Sequence, residues 1–226
     1  MKKLGTGRTA EVFLTQDGHA LKLFYEGYPE AAVETELHNA LMVQNTGLPV
    51  PHCYGRRDLC GRYGIEYECV TGESLLQYLL RTGDAEGTIR IMVQLHRQMQ
   101  TIRLPQAMDV RRWLRREMNG STAPESMPDG DTLLHGDFHP DNIQIDGDRI
   151  WVLDWMNLCR GDAMYDVART FCLIADAPLP PGTEGEAARA ILEMRKALAN
   201  GYLAGMGVQK DAIEDWTRII RTQMTQ

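Results

Sequence analysis

No apolar run in the sequence approaches the roughly 20 residues needed to span a bilayer. The opening Met1-Lys2-Lys3-Leu4-Gly5-Thr6-Gly7 is not followed by a signal-peptide core. Cysteine is sparse: the five residues at 53, 60, 69, 159 and 172 are odd in number and contain no CxxC pair. That pattern speaks against a disulfide framework and against a zinc cluster, and it places the chain in a reducing cytoplasm with no membrane partner. Positive charge is also short, with 24 basic against 31 acidic residues and a net charge of −7, so nucleic acid is not an expected partner. Internal repeats and low-complexity tracts are missing. What is left is an ordinary globular balance, 43% hydrophobic over 226 residues, enough for one large domain or two small lobes sharing a core.

Glutamate is missing where the acidic charge is densest. Residues 131–177 carry nine acidic and three basic side chains, so they supply −6 of the −7, and all nine acids are aspartates. Glutamate would serve solubility equally well. A short, stiff carboxylate used alone suits turns, helix caps and oxygen ligands for a hard cation.

The first seventy residues read as β-rich. Residues 11–16 and 19–24 alternate around Asp17-Gly18, a hairpin signal. Residues 28–45 read as a helix with Val33, Leu37 and Leu41 on its apolar face, stopped by Gly47-Leu48-Pro49-Val50-Pro51. Two more strands are expected near 52–57 and 61–70. After Thr71-Gly72 the pattern turns helical, at 73–81, 86–103, 186–204 and 210–224, with loops at 119–131 and 177–182. The expected division is a β-rich lobe at 1–70 and a helical lobe at 71–226.

The chemistry is concentrated in Leu134-His-Gly-Asp-Phe-His-Pro-Asp-Asn-Ile-Gln-Ile-Asp-Gly-Asp-Arg-Ile-Trp-Val-Leu-Asp154. Residues 143–145 and 149–153 flank Asp146-Gly147 and predict an antiparallel hairpin. Pairing about that turn brings Asn142 near Asp154, with Asp137 in the loop leading in. A carboxylate and an amide converging beside a second carboxylate suit Mg²⁺ bridging phosphate oxygens. Asp146 and Asp148 are read as turn residues only.

HGDFHPDN followed by VLDW resembles the catalytic and metal-binding signature of the aminoglycoside phosphotransferase/choline kinase family, relatives of the protein kinases. The resemblance implies an α+β, bilobal protein-kinase-like fold, with a small antiparallel β lobe carrying one helix and a larger, mainly helical lobe. It makes Asp137 the catalytic base and Asn142 and Asp154 the Mg²⁺ ligands. The five-residue step from Asp137 to Asn142 is the spacing of the protein-kinase catalytic loop.

The same resemblance gives upstream residues roles as nucleotide ligands. Lys22, a charge inside the apolar strand Ala20-Leu-Lys-Leu-Phe24, is the phosphate-binding lysine, and Glu36 is preferred to Glu34 as its helix partner. Gly5 and Gly7 occupy the nucleotide-loop position, with Ala10 where a third glycine would fall and a first strand expected to be minimal. Adenine is expected on the backbone of Glu68-Cys69-Val70. Asp166 is a buried buttress of the catalytic loop, and Asp162 a helix N-cap. His135 and His96 read as packing residues. His139 is as readily a phosphate or substrate contact as not. Arg111, Arg112, Arg115 and Arg116 flank Trp113 as a solvated face or as a site for an anion.

Only eleven residues separate Asp154 from Asp166, too few for the activation loop of a protein kinase. The function implied is Mg-ATP-dependent transfer of the γ-phosphoryl group to a hydroxyl of a small molecule, aminoglycoside-like, choline-like or another metabolite. GTP in place of ATP stays open, as does the oligomeric state. The alternative is a nucleotide-binding module without turnover. Trp155, Tyr165, Tyr202 and Trp216 are candidate walls of an acceptor pocket, although aromatic residues at helical spacing are more often core.

Overall fold

The computed structural model describes residues 1–117 and 127–224; positions 119–126 of the predicted 119–131 loop lie outside them. The chain divides into two compact units: Met1–Leu75 with Asn142–Asn157, and Leu76–Asp141 with Leu158–Gln226. The fold class is α+β, an antiparallel sheet followed by a mainly helical part.

In the first unit, β1 (Lys2–Thr6), β2 (Ala10–Leu14) and β3 (Ala20–Phe24) are followed by α1 (Glu30–Val43), β4 (Cys53–Arg56) and β5 (Gly64–Tyr67). The strands form one antiparallel sheet in the order β1-β2-β3-β5-β4. Lys22 stands opposite Val12 on one side and Ile65 on the other. Successive strand residues point to opposite faces, so Lys22 shares a face with Phe24. Phe24 packs with Ala10, Val33, Ala40, Cys53 and Ile65 to form the core under α1. The first strand is not minimal: β1 is as long as β2 and β3 and runs through Gly5, with its register shifted between Lys3 and Gly5.

The helix predicted over 28–45 forms, and Val33 and Leu37 of its predicted face pack on the core, but the buried face is turned away from Leu41. Val33, Glu36, Asn39, Ala40 and Val43 are buried, whereas Leu41 is exposed. Two polar residues occupy the inner face because each has a partner there, described below.

The predicted hairpin is present as β8 and β9. A two-residue β6 (Glu73–Ser74) pairs antiparallel with β8 (Ile143–Asp146), which in turn pairs with β9 (Arg149–Val152). Gly72 makes the first pairing feasible. Its φ is +95°, and a Cβ there would lie 1.9 Å from the carbonyl oxygen of Ile145. Pairing with β6 brings the hairpin into the N-terminal unit despite its position some seventy residues downstream.

The second unit is built on α2 (Leu75–Thr82), α3 (Ala85–Gln100), α4 (Val110–Glu117), α5 (Ala163–Ala175), α6 (Gly185–Met206) and α7 (Glu214–Met224). Asp84 caps α3 by accepting from the Gly87 N–H, and Asp162 caps α5 by accepting from the Met164 N–H. On α3, Met92 and Met99 are fully buried. Gly201 and Gly205 lie against Ile89 and Val93, letting α6 pack closely on α3. A short antiparallel pair, β7 (Thr132–Leu134) with β10 (Cys159–Gly161), brackets the catalytic-type loop between two buried strands. No described helix is long and apolar enough to cross a membrane.

Candidate active site

Lys22 is the centre of the first unit's polar cluster. Its Nζ donates to Oε1 of Glu36 at 2.6 Å and to Oδ1 of Asp154 at 3.3 Å. Burial works against the ammonium charge, but the carboxylates of Glu36 and Asp154 more than offset it and hold the lysine above its ordinary pKa. Burial pushes the Glu36 carboxyl upward, and the nearby charge of Asp154 adds to this, against the pull of Lys22. The Tyr67 hydroxyl also donates to Glu36 at 3.4 Å, while Oε2 of Glu36 is buried without a partner. Glu34 is engaged elsewhere, by Arg56, which also pairs with Glu30 and Asp58. The competition between the two glutamates is settled by helix phase: Glu36 is on the buried face of α1 and Glu34 is on the exposed one.

Asp154 ends the hairpin in a left-handed backbone conformation, φ +60°, which only one other described non-glycine residue, Cys60, adopts. The Leu153 N–H donates to the Asn142 carbonyl at 2.8 Å, and the Val152 N–H to the Pro49 carbonyl at 2.7 Å. The hairpin therefore joins Asn142 to the residue just before Asp154. Among the described residues no three His, Cys, Asp or Glu side chains converge as a metal cluster. An amide and a carboxylate, both oxygen donors, are nonetheless a fitting set for Mg²⁺, which is held by one or two carboxylates together with water and phosphates.

Gly5 and Gly7, expected at a nucleotide loop, lie in the same unit. Gly5 is inside β1, where a Cβ would meet nothing within 4 Å, and the Gly7 N–H donates to the Ala10 carbonyl at 2.8 Å. Ala10 is buried in the sheet core, so the position where a third glycine was sought is a packing position. The Glu68 N–H donates to the His52 carbonyl at 2.7 Å, and its carboxylate accepts from the His52 N–H at 3.2 Å. Val70 follows as a half-buried residue.

The second unit carries Asp137. The loop around it is fixed by Asp166, which is fully buried at the start of α5: its carboxylate oxygens accept the N–H groups of His135 at 2.8 Å and Gly136 at 2.9 Å. Arg169, one turn further along α5, donates to the Gly136 carbonyl at 2.5 Å. The Asp137 N–H donates to Nδ1 of His135 at 3.2 Å, which gives that buried imidazole a role in holding the loop. His139 accepts the Asp141 N–H on Nδ1 at 3.3 Å and presents Nε2 to Asp137 at 3.7 Å. Burial alone would raise the Asp137 carboxyl. His139, with His135 and Arg169, more than offsets this and holds it below the ordinary range, so it is ionised at neutral pH.

His96 and Tyr202 complete this arrangement. Nε2 of His96 is 3.2 Å from Oδ2 of Asp166, and its Nδ1 is 2.6 Å from the Tyr202 hydroxyl. Tyr202 is therefore not a pocket wall. It is fully buried, as are Trp155, Tyr165 and Trp216 to within a few per cent, and Trp216 donates to Asp162 at 3.0 Å. Of the arginines of α4, Arg112, Arg115 and Arg116 are exposed, as in a solvated face, while Arg111 is half-buried. Arg111 pairs with Asp109 and Asp129, and Arg111, Arg112 and Arg115 line an open cavity of about 280 Å³ with Asp109.

Three comparisons bear on this geometry. The fold is protein-kinase-like. Aminoglycoside phosphotransferase APH(3'')-Id from Streptomyces rimosus, in complex with ADP and streptomycin, superposes with a TM-score of 0.63 at 17% identity, over 98% of this chain and 91% of that one. The streptomycin–ATP–APH(2")-IIa ternary complex gives 0.60 at 14%, over 97% and 80%. The Mycobacterium tuberculosis PknI kinase domain gives 0.51 at 14%, over 99% and 94%. The family model described as APH, phosphotransferase enzyme family, matches residues 120–206, the stretch that contains HGDFHPDN and VLDW. The resemblance seen in the motif is thus met again in the segment and in the fold. No curated protein matches the sequence.

Proposed function

We propose that the protein is a small-molecule kinase, transferring the γ-phosphoryl group of ATP to a hydroxyl of a metabolite or aminoglycoside-like acceptor. The observation that carries this reading is the position of Lys22. A half-buried lysine inside an apolar strand is kept charged by two carboxylates, one from a helix and one from the end of the HGDFHPDN–VLDW hairpin. A fold has no structural need for an ammonium there, and anionic phosphates supply one.

In this reading Lys22, kept in place by Glu36, binds the nucleotide's phosphates. Gly5 and Gly7 allow backbone N–H groups to approach them; in neither case does the protein's own packing demand a glycine. The backbone at Glu68 and Val70 receives the base. Asn142 and Asp154 hold Mg²⁺, which when bound supplies charge neutralisation at the phosphate oxygens. Asp137 accepts a hydrogen bond from the acceptor hydroxyl, orients it and takes its proton as that oxygen bonds to the γ-phosphorus and the bond to the β–γ bridging oxygen breaks, releasing ADP. A carboxylate held below its ordinary pKa is a weak base. That suffices because the transition state of phosphoryl transfer is loose, and catalysis consists mainly of positioning and electrostatics. Free thiols at all five cysteines suit the cytoplasm, where the nucleotide is abundant.

The test uses purified protein, Mg·ATP and a panel of hydroxylated metabolites and aminoglycosides, followed by mass spectrometry for the gain of one phosphate. Wild-type protein should phosphorylate at least one acceptor, and Asp137→Asn should not. Acceptor-dependent ADP release that survives this substitution would remove Asp137 from the mechanism. Tight nucleotide binding with no product from any acceptor would instead favour a binding module.

A further inference from the structure

The inner face of α1 carries a second polar residue one turn beyond Glu36, and neither its sequence setting nor the catalytic roles above account for it. Asn39 is 5% exposed, and its amide nitrogen donates to two consecutive carbonyls, those of Trp155 and Met156, both at 3.1 Å. Both acceptors are carbonyl oxygens, so the orientation of the amide is unambiguous: the nitrogen, with its two N–H groups, must face them. Just before these residues, Asp154 is in the left-handed conformation that a side chain rarely adopts.

We infer that Asn39 is a positioning residue for Asp154, and that α1 sets both charges of the site from one face. Residues three apart on a helix share a face. Glu36 therefore fixes Lys22, while Asn39 fixes the turn that presents Asp154 to Lys22. On the upstream side that turn is tied by the Val152 N–H to Pro49 and by the Leu153 N–H to Asn142, and the Trp155 indole returns to the Val152 carbonyl at 3.1 Å. Downstream, the two bonds from Asn39 close the bracket. Without them, the carbonyls of Trp155 and Met156 lose the donor that faces them. The backbone at Asp154 is then free to relax to an ordinary φ, moving its carboxylate away from Lys22. The inference rests on the phosphotransferase reading for its consequence, but its structural half can be checked without activity.

Full-length wild-type protein, Asn39→Asp and Asn39→Ser are compared. Asn39→Asp keeps the shape and turns a carboxylate toward two carbonyls; Asn39→Ser keeps one donor and guards against simple misfolding. Hydrogen–deuterium exchange over residues 150–158 is the first measurement, and calorimetric ADP binding with and without Mg²⁺ is the second. Exchange in 150–158 should accelerate in Asn39→Asp while peptides of α3 and α5 stay protected. The gain in ADP affinity due to Mg²⁺ should fall by about 10-fold or more, the usual consequence of losing a group that orients a metal ligand, with magnesium-free binding unchanged. Asn39→Ser should lie between. Unchanged exchange in 150–158, or an unchanged magnesium effect in both variants, overturns the assignment. If wild-type protein binds no nucleotide, the phosphotransferase reading and the metal-related half of this inference fall together. Faster local exchange in Asn39→Asp would in that case still support the hold on the turn.

Discussion

The ammonium of Lys22 and the carboxylate of Glu36 approach to 2.6 Å between the central strand of the sheet and the helix that covers it, and both are largely removed from water. A buried pair of this kind adds little net stability when complete, yet is costly when one partner is removed. Glu36→Ala should therefore lower stability by about 2–3 kcal/mol, the scale of a lost charged hydrogen bond in a buried site. The double variant Lys22→Met/Glu36→Leu should lose less than the sum of the single variants, Lys22→Met and Glu36→Leu. Urea denaturation in a double-mutant cycle measures the difference, and strict additivity would mean that the two side chains do not interact in solution.

For Asp137→Asn the expected change is in turnover and not in folding or nucleotide binding. Removing a positioned base slows a reaction by about 10²–10⁴-fold. Because the wild-type carboxyl is held below its ordinary value of 3.8, it stays ionised as pH falls toward that value. The kcat/KM profile should accordingly show no acid limb from this group above about pH 5. Such a limb, present in the wild type and missing from the variant, would contradict the depressed pKa.

Asp166 gives the acid-stability prediction. Burial opposes its charge, but hydrogen bonding and charge from His96, the charge of His135 and the His135 N–H outweigh burial and lower its pKa from 3.8. A carboxyl depressed in the folded state contributes stability that is fully present above its unfolded pKa and is lost as pH falls through the folded value. Asp166→Asn should thus be less stable than wild type at pH 7 by about 1–3 kcal/mol. The gap should narrow as the pH is taken below 3.8. Thermal melts from pH 7 to pH 2.5 decide the matter, and a gap independent of pH would refute the electrostatic origin.

The contact of α3 with α6 separates two glycines. A Cβ at Gly201 would meet Cδ1 of Ile89 at 2.4 Å, the far end of a flexible side chain, whereas one at Gly205 would meet Cγ2 of Val93 at 2.6 Å. Valine is held to one χ1 rotamer in a helix and has no room to yield. Gly201→Ala should be close to neutral, since a helix-propensity gain of about 1 kcal/mol balances a small repacking cost. Gly205→Ala should be destabilising by about 1–2 kcal/mol. Equal melting temperatures for the two variants would be the contrary outcome.

Some of the site was legible in the sequence because its determinants are local. The Asp146-Gly147 turn with alternating flanks gave the β8–β9 hairpin, and antiparallel pairing then made Asn142 and Asp154 neighbours. Asp162 announced the start of α5 by the ordinary preference for a carboxylate at a helix N-cap. The face of α1 was legible only in part. Val33 and Leu37 marked it and Glu36 was the preferred partner of Lys22, but Asn39 looks like a solvent residue and Leu41 looks like core until the carbonyls of Trp155 and Met156 supply partners 116 and 117 residues away. His96 could be assigned to the interior from its helix position, but its link from Tyr202 to Asp166 depends on a helix more than a hundred residues further along.

The sequence by itself determined the loop that carries Asp137 and the hairpin that joins Asn142 to the residue before Asp154, since turn preference, strand alternation and residue type act over a few positions. Tertiary structure decided which of two glutamates meets Lys22, why an asparagine is buried in α1, and that four aromatic residues are core and not pocket. These outcomes depend on burying polar groups only where a distant partner satisfies them, and no local pattern encodes that partner.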